Sequence, residues 1–281
     1  MIRIITDGTS DLSAQRAAEL GIDVMPMRVF FGPESFLDGV DITREEFFRR
    51  LASSEELPTT SQLNPDDFLE LFQRYTDQGD QVVGIFISSQ LSGTCQSACI
   101  ARDMAEGGEI HVVDSRTVTF ALALLVEEAA AMRDEGMSAA QIAAQVEALA
   151  QRTRLLAVVD TLTYLKKGGR ISAATAAVGG LLGIKPIVGV DSRGTVEALG
   201  KARSMAAGLE WIAAHIRKEP ADPARLVGFG HSDSPDRLPM CMDALSQVLP
   251  QQRPAVIGSI GAVVGTHVGP GAVGVAYIAA E

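Results

Sequence analysis

The sequence predicts an α/β protein with two domains: an N-terminal, mostly parallel sheet with flanking helices, and a C-terminal α/β domain with a mixed sheet. Short apolar runs alternate with helical patterns through the first half, which is typical of parallel strands joined by crossover helices. After residue 153 the pattern changes, and two apolar runs joined at 192–194 read as a pair of strands. A chain of 281 residues is long for one core, so we expect domains at 1–152 and 153–281.

Apolar runs and helix caps predict the elements of the first half. The predicted strands are 2–6, 24–31, 81–87 and 109–113. One predicted helix ends near Leu20. Three others begin at Thr43, at Asn64 and near Ser92, and further helices cover 118–150. The run at 81–87 is apolar throughout, as in a strand covered on both faces. Thr43 has Glu46 three residues later, as in a capping box, and Asn64 precedes Pro65, which suits the first helical position.

The second half is predicted as strands and helices that end in a glycine-rich strand region. The predicted strands are 155–160, 184–191, 195–202 and 224–230. The predicted helices are 161–169, 172–183, 204–218 and 234–249. We expect 254–279 to form strands joined by a glycine-lined loop, and His267 lies in that loop. An imidazole has no obvious role in such a connection, which makes His267 a candidate functional residue.

Composition and charge exclude several function classes. The net charge of −11 argues against a nucleic-acid-binding protein and against a polybasic protein of membrane surfaces. No apolar stretch reaches the ~20 residues of a membrane span, and the charged start MIRIITDGTSDL is unlike a signal peptide. We therefore expect a cytoplasmic protein without stable membrane insertion. The three cysteines lack CxxC spacing, so neither a disulfide framework nor a metal site is expected.

Two clusters of hydroxyls precede predicted helices. Ser92, Gly93 and Thr94 follow the strand 81–87, at the edge of a parallel sheet where ligands bind. The free N–H groups and the dipole of a helix start favour an anion there. From spacing alone, Ser92 is equally well explained as a helix cap. The cluster PTTSQLNP at 58–65 also has a structural explanation, as a polar turn with a cap.

A basic cluster stands out in this acidic chain. Lys166, Lys167 and Arg170 surround two glycines in LKKGGRI. The cluster is either a solvated loop or a docking patch for an acidic or phosphate-bearing partner.

Motifs along the chain resemble, in order and over essentially its whole length, the DegV family, also called the fatty-acid-binding family. They are TDGTSDL at 6–12, PTTSQ at 58–62, LSGTCQSA at 91–98, VVDS at 112–115, LTYLKKGGRIS at 162–172, LLGIKPI at 181–187 and GTHVGPG at 265–271. Gly8 and Cys95 depart from the residues that are frequent in the family at those positions.

The resemblance implies a lipid carrier without catalysis of its own. Such a carrier binds a long-chain fatty acid in a buried apolar tunnel and needs no cofactor. A separate fatty acid kinase then phosphorylates the carboxylate with ATP, which gives an acyl phosphate for phospholipid synthesis. The small residues at 173–184 are expected to leave room for the acyl chain, although close helix packing explains them equally well.

The resemblance also implies the roles of individual residues. The carboxylate is expected to contact Thr60 and Ser61 of PTTSQ, Ser92 of LSGT and His267 of GTHVGPG, with Gly93 and Thr94 in the same S-G-T motif. A bound carboxylate should raise the pKa of His267. Arg170 and Arg203 are expected to dock the kinase.

Two enzyme hypotheses remain as alternatives. The first is an acyl hydrolase or transferase that uses Ser92 and His267; the lack of a G-x-S-x-G motif and of an acid to orient His267 argues against it. The second is a small-ketone phosphotransfer protein, because dihydroxyacetone kinase subunits resemble this fold class.

Overall fold

Three β-sheets organise residues 1–171, 183–249 and 254–281, which this computed structural model describes. The strands are β1 Ile2–Asp7, β2 Ile22–Met25, β3 Arg28–Phe31, β4 Glu34–Leu37, β5 Thr59–Ser61, β6 Gln81–Phe86, β7 Ile110–Asp114, β8 Thr153–Val158, β9 Lys185–Val190, β10 Val196–Ala202, β11 Val227–His231, β12 Pro254–Ser259 and β13 Val273–Ile278. The predicted α/β class is confirmed.

Helices connect and cover the strands within these described ranges. They are Ala14–Leu20, Arg44–Ser53, Pro65–Thr76, Thr94–Met104, Phe120–Asp134, Ala139–Arg152, Thr163–Lys167, Met205–Lys218, Arg237–Leu245 and Ala262–Val268, with a short 3₁₀ turn at Gly8–Ser10. Side-chain caps explain several starts: the hydroxyl of Thr43 accepts from the N–H of Glu46, and Ser138 and Ser204 cap their helices in the same way. The predicted helix at 172–183 lies almost wholly outside the described residues.

The first sheet has the strand order β2-β1-β6-β7 and is parallel throughout. Its central strand β6 is buried along nearly its whole length, which agrees with the continuous apolar run. The single strand predicted at 24–31 is wrong, because the chain breaks there into β2 and β3. Pro26 lies at the break and cannot donate to a ladder. The second piece, β3, joins a separate antiparallel sheet of order β4-β3-β5.

The third sheet is mixed, as predicted, with the strand order β10-β9-β8-β13-β11-β12. Only the β11–β12 pair within it is parallel among the described pairings, and the other neighbours are antiparallel. The strands β9 and β10 are joined at 191–195, as their sequence pattern indicated. The domain boundary near residue 152 stays a prediction.

The helix Phe120–Asp134 joins the two large sheets. It is buried along almost its entire length and packs against strands of both sheets. Two of its acids are buried and paired with arginines from opposite ends of the chain: Glu127 with Arg16, and Glu128 with Arg225. Buried carboxylates need such partners, so these pairs fix the helix to both halves.

The expected strand–loop–strand at 254–279 needs a correction. Residues between β12 and β13 form the helix Ala262–Val268, and His267 lies in its last turn. The N–H groups at its start are taken by side chains from far along the chain: Gly261 donates to Asp11 and Val263 donates to Asp38. These long-range acceptors satisfy groups that a helix start leaves free.

Candidate functional site

A cavity of about 260 Å³ lies where residues of both halves of the chain meet. One face of the mixed sheet forms a wall: Val188, Ala157 and Gly274 are register partners on β9, β8 and β13, and all three line the cavity. Leu155 and Val190, two residues along their strands, continue the same face and the same wall. Other apolar lining residues are Met27, Ile87, Leu91, Phe120, Val263 and Val264.

Small residues on this face leave the space open. Ala157 adds only a methyl group, and Gly274 adds nothing. A Cβ at position 274 would lie 2.6 Å from the carbonyl oxygen of Leu156 and 2.9 Å from the Cβ of Ala157. The close approach of β8 and β13 therefore requires glycine at position 274, and no side chain from this position enters the cavity that Gly274 lines.

A polar cluster lines one part of the cavity. The hydroxyl of Thr60 and Nε2 of His267 lie 3.0 Å apart, at hydrogen-bonding distance, although the two residues are 207 positions apart in sequence. Ser61, Ser92, Gly93 and Arg170 line the same cavity. The fold thus brings together residues from motifs that are widely spaced in the sequence.

The His267 ring is enclosed and neutral. Burial, with a further contribution from the positive charge of Arg170, lowers the pKa of His267 to about 4. Without a ligand, the protein therefore stabilises the neutral imidazole at pH 7. A negative charge bound beside the ring would raise this pKa. Nδ1 of the ring is buried and has no hydrogen-bond partner within the described residues.

Two hydroxyls of the S-G-T motif have different positions: that of Ser92 lines the cavity, and that of Thr94 is buried behind it. The hydroxyl of Ser92 lines the cavity and hydrogen-bonds the hydroxyl of Thr94 at 2.9 Å. Thr94 itself is fully buried and does not line the cavity; its hydroxyl accepts from the N–H of Leu63 at 3.4 Å. Thr94 therefore holds the hydroxyl of Ser92 and the PTTSQ loop in place.

The two arginines predicted to dock a partner occupy different environments. Arg170 lines the cavity, and its guanidinium donates to the carbonyl oxygens of Gly168 at 2.6 Å and Leu91 at 3.3 Å. Arg203 is exposed and does not line the cavity. The positive charge of Arg170 is therefore directed at the polar cluster.

Sequence reasoning missed Thr9 and Thr119, which also line the cavity. Thr119 has a positive φ of 55°, an uncommon backbone conformation for a β-branched residue. Its N–H donates to the carbonyl oxygen of Thr9 at 2.7 Å, and its hydroxyl donates to Asp11 at 2.5 Å. Thr9 lies inside a motif that was noticed, whereas nothing in the local sequence distinguishes Thr119.

The contacts do not form a nucleophile–base pair. His267 Nε2 bonds Thr60, and the hydroxyl of Ser92 bonds Thr94, so Ser92 and His267 share no hydrogen bond among the described residues. No carboxylate orients Nδ1 there either. A Ser–His hydrolase requires both contacts.

Gly168 packs directly against the imidazole. A Cβ at this position would lie 2.3 Å from His267 Nδ1 and 3.1 Å from the carbonyl oxygen of Tyr164. Because the ring can move more easily than the backbone, we expect Gly168→Ala to displace His267 and break its contact with Thr60.

The expected result for Gly168→Ala is a loss of the hydrogen bond, seen as a changed NMR signal of the His267 ring, with a stability cost of about 1–3 kcal/mol. The His267→Ala background is the control, because there the added methyl has space. An unchanged ring signal in Gly168→Ala contradicts this packing.

Within the described part of the chain, no group of three or more His, Cys, Asp or Glu side chains is arranged to hold a metal ion. None of the helices described is long and apolar enough to cross a membrane.

Fold and site together define a class: an α/β protein with a parallel and a mixed sheet, whose cavity is apolar along the mixed sheet and polar around His267. The chain belongs to the DegV family. The model of this family, described as one of uncharacterised proteins, matches residues 1–280.

Individual relatives cover almost the whole chain. A DegV domain-containing protein of Caldanaerobacter subterraneus is 37% identical over 277 residues, which are 98% of each chain. The structure of a DegV family protein from Thermus thermophilus, described as fatty acid binding, is 32% identical, with a TM-score of 0.88 over 99% of both chains. A stearic acid-binding protein from Eubacterium ventriosum is 27% identical, with a TM-score of 0.89 over 99% of this chain and 98% of its own.

Proposed function

We propose that this protein binds a long-chain fatty acid, with the acyl chain along the mixed sheet and the carboxylate at the polar cluster. The observation that carries the proposal is a single cavity that joins the apolar face of β8, β9 and β13 to the Thr60–His267 pair. The fatty-acid ligands of the Thermus and Eubacterium relatives support it.

Burial of the tail supplies the affinity. A chain of about fifteen methylenes, at about 0.8 kcal/mol each, contributes about 12 kcal/mol. Association costs several kcal/mol in lost translational and rotational freedom. The remainder is enough for about micromolar binding or tighter. The head group therefore needs only to avoid the penalty of an unpaired buried carboxylate.

The polar cluster meets that need with neutral donors beside one cation. Thr60, Ser61 and Ser92 offer hydroxyls, and a neutral His267 offers an N–H. Arg170 provides a positive charge that favours an anion, because it lines the same cavity as these donors. A carboxylate bound there would itself raise the pKa of His267.

We further propose that the protein is a carrier that presents its carboxylate to a separate kinase, which uses ATP to form an acyl phosphate. Arg170 suits both the carboxylate and the docking role, since it lines the cavity and donates to the carbonyl oxygen of Leu91, next to Ser92. Lys166 and Lys167 are exposed in the last turn of the helix Thr163–Lys167. Arg203 is proposed as an exposed docking residue only. Catalysis by Ser92 and His267 gains no support from their hydrogen bonds.

Native mass spectrometry of the protein purified from cells tests ligand binding. We expect a bound mass in the range of a long-chain fatty acid that organic extraction removes. A ligand-free spectrum from lipid-rich cells, combined with no uptake of added oleate, contradicts the proposal. Acyl phosphate formation is then measured with ATP and a candidate kinase; turnover by the carrier alone would favour the enzyme hypothesis instead.

A further inference from the structure

The helix that carries His267 is held at its start by two carboxylates from the first half of the chain. The N–H of Gly261 donates to Asp11 at 2.8 Å, and the N–H of Val263 donates to Asp38 at 2.9 Å. A Cβ at Gly261 would lie 2.7 Å from Asp38 and 2.9 Å from Asp11, so both carboxylates pack closely against this glycine.

The same carboxylates are tied to other parts of the first half. The second oxygen of Asp11 accepts from the hydroxyl of Thr119 at 2.5 Å, and Arg44 donates to the carbonyl oxygen of Asp11 at 3.0 Å. The N–H of Asp38 donates to the carbonyl oxygen of Met27 at 2.9 Å. Arg44 is a favourable charge for both acids.

Packing continues this contact along the helix. Gly265 faces the rings of Phe47 and Phe48, where a Cβ would lie 2.8 Å and 2.9 Å away. Both rings belong to the helix Arg44–Ser53, which also supplies Arg44. Contacts therefore fix the short helix along its length: the carboxylates at its start, the two phenylalanines at its middle and Thr60 at its last turn.

We propose that Asp38 and Asp11 are positioning residues for the lipid head group: by holding the first N–H groups of Ala262–Val268, they set His267 beside Thr60. A helix of seven residues needs contacts with the rest of the protein, because isolated helices of this length are unstable in water. A displacement of about 1 Å at the start of the helix would also displace the imidazole in its last turn. The inference rests on the proposed fatty-acid function.

The test compares oleic acid with oleyl alcohol, which share the chain but not the carboxylate. Measurements are made at pH 8, because burial raises the pKa of Asp11 to about 7. We expect Asp38→Ala to weaken oleate binding about tenfold and to leave oleyl alcohol binding within about twofold. Asp38→Asn keeps one acceptor oxygen, so its oleate affinity should lie between those of the wild type and Asp38→Ala.

Asp41→Ala is the matched control, because Asp41 accepts from the N–H of Leu37, close to Asp38 in sequence, and has no hydrogen bond with the His267 helix among the described residues. In a His267→Ala background, Asp38→Ala should add less than about a twofold loss of oleate binding, since its effect acts through the ring. Equal losses for the acid and the alcohol, or a full tenfold loss in that background, would overturn the inference.

The NMR signals of the His267 ring separate this inference from the proposed function. Asp38→Ala should shift them in the protein without lipid, and Asp41→Ala should not. If the wild type binds neither ligand, the proposed function fails while the ring signals still decide the positioning role: a shift supports it and unchanged signals overturn it. Asp38→Asn serves for these spectra if Asp38→Ala does not fold.

Discussion

Replacing Ala157 with phenylalanine should lower the affinity for an eighteen-carbon fatty acid about a hundredfold or more and leave the protein folded. Ala157 lies in the middle of the cavity wall, between its register partners Val188 and Gly274. The new ring would fill space next to Gly274 that the acyl chain is proposed to occupy. Excluding about four methylenes at about 0.8 kcal/mol each costs about 3 kcal/mol of binding free energy.

Titration with fatty acids of increasing length measures this effect. The preference of Ala157→Phe should shift toward shorter chains, which need less of the cavity, and Ala157→Val should give an intermediate shift. Ala140→Phe, at an exposed position of the helix Ala139–Arg152, controls for the added ring. Unaltered binding of the eighteen-carbon acid by Ala157→Phe would mean that the acyl chain does not lie on this sheet.

Patterns of the sequence predicted the elements whose formation depends on local residues. The buried run at 81–87 became β6, and the cap at Thr43 begins its helix as expected. The prediction failed where distant partners decide the backbone. Residues 262–268 contain three valines and a glycine, which do not favour a helix, and Asp11 and Asp38 accept N–H groups at the start of the helix that forms there.

The carboxylate-binding roles of the site residues stay a prediction. The resemblance named Thr60, Ser92 and His267, and the structure brings all three to one cavity. It did not indicate that the ring is neutral, because the pKa of His267 depends on burial and on Arg170, which lies 97 positions earlier in the sequence. Thr119 was equally hidden, since its role depends on a positive φ that no residue preference predicts.

Exchanging His267 for alanine should weaken fatty-acid binding about ten- to a hundredfold. The change removes a donor from a desolvated carboxylate, and a hydrogen bond to a charged group contributes about 1.5–3 kcal/mol. Because the pKa of His267 is about 4 in the protein without lipid, the ring is neutral at pH 7 when it meets the ligand. His267→Gln also places a neutral N–H there and should keep more affinity than His267→Ala.

Thr60→Val removes the partner hydroxyl while keeping the shape of the side chain, and it should weaken binding in the same direction. Thr59→Val is its matched control: Thr59 precedes Thr60 on β5, points to the opposite face and is exposed. Since Thr60 and His267 contact each other, the loss in the double variant should be smaller than the sum of the single losses. Fully additive losses, or equal losses for oleate and oleyl alcohol, would show that the pair does not bind the carboxylate as a unit.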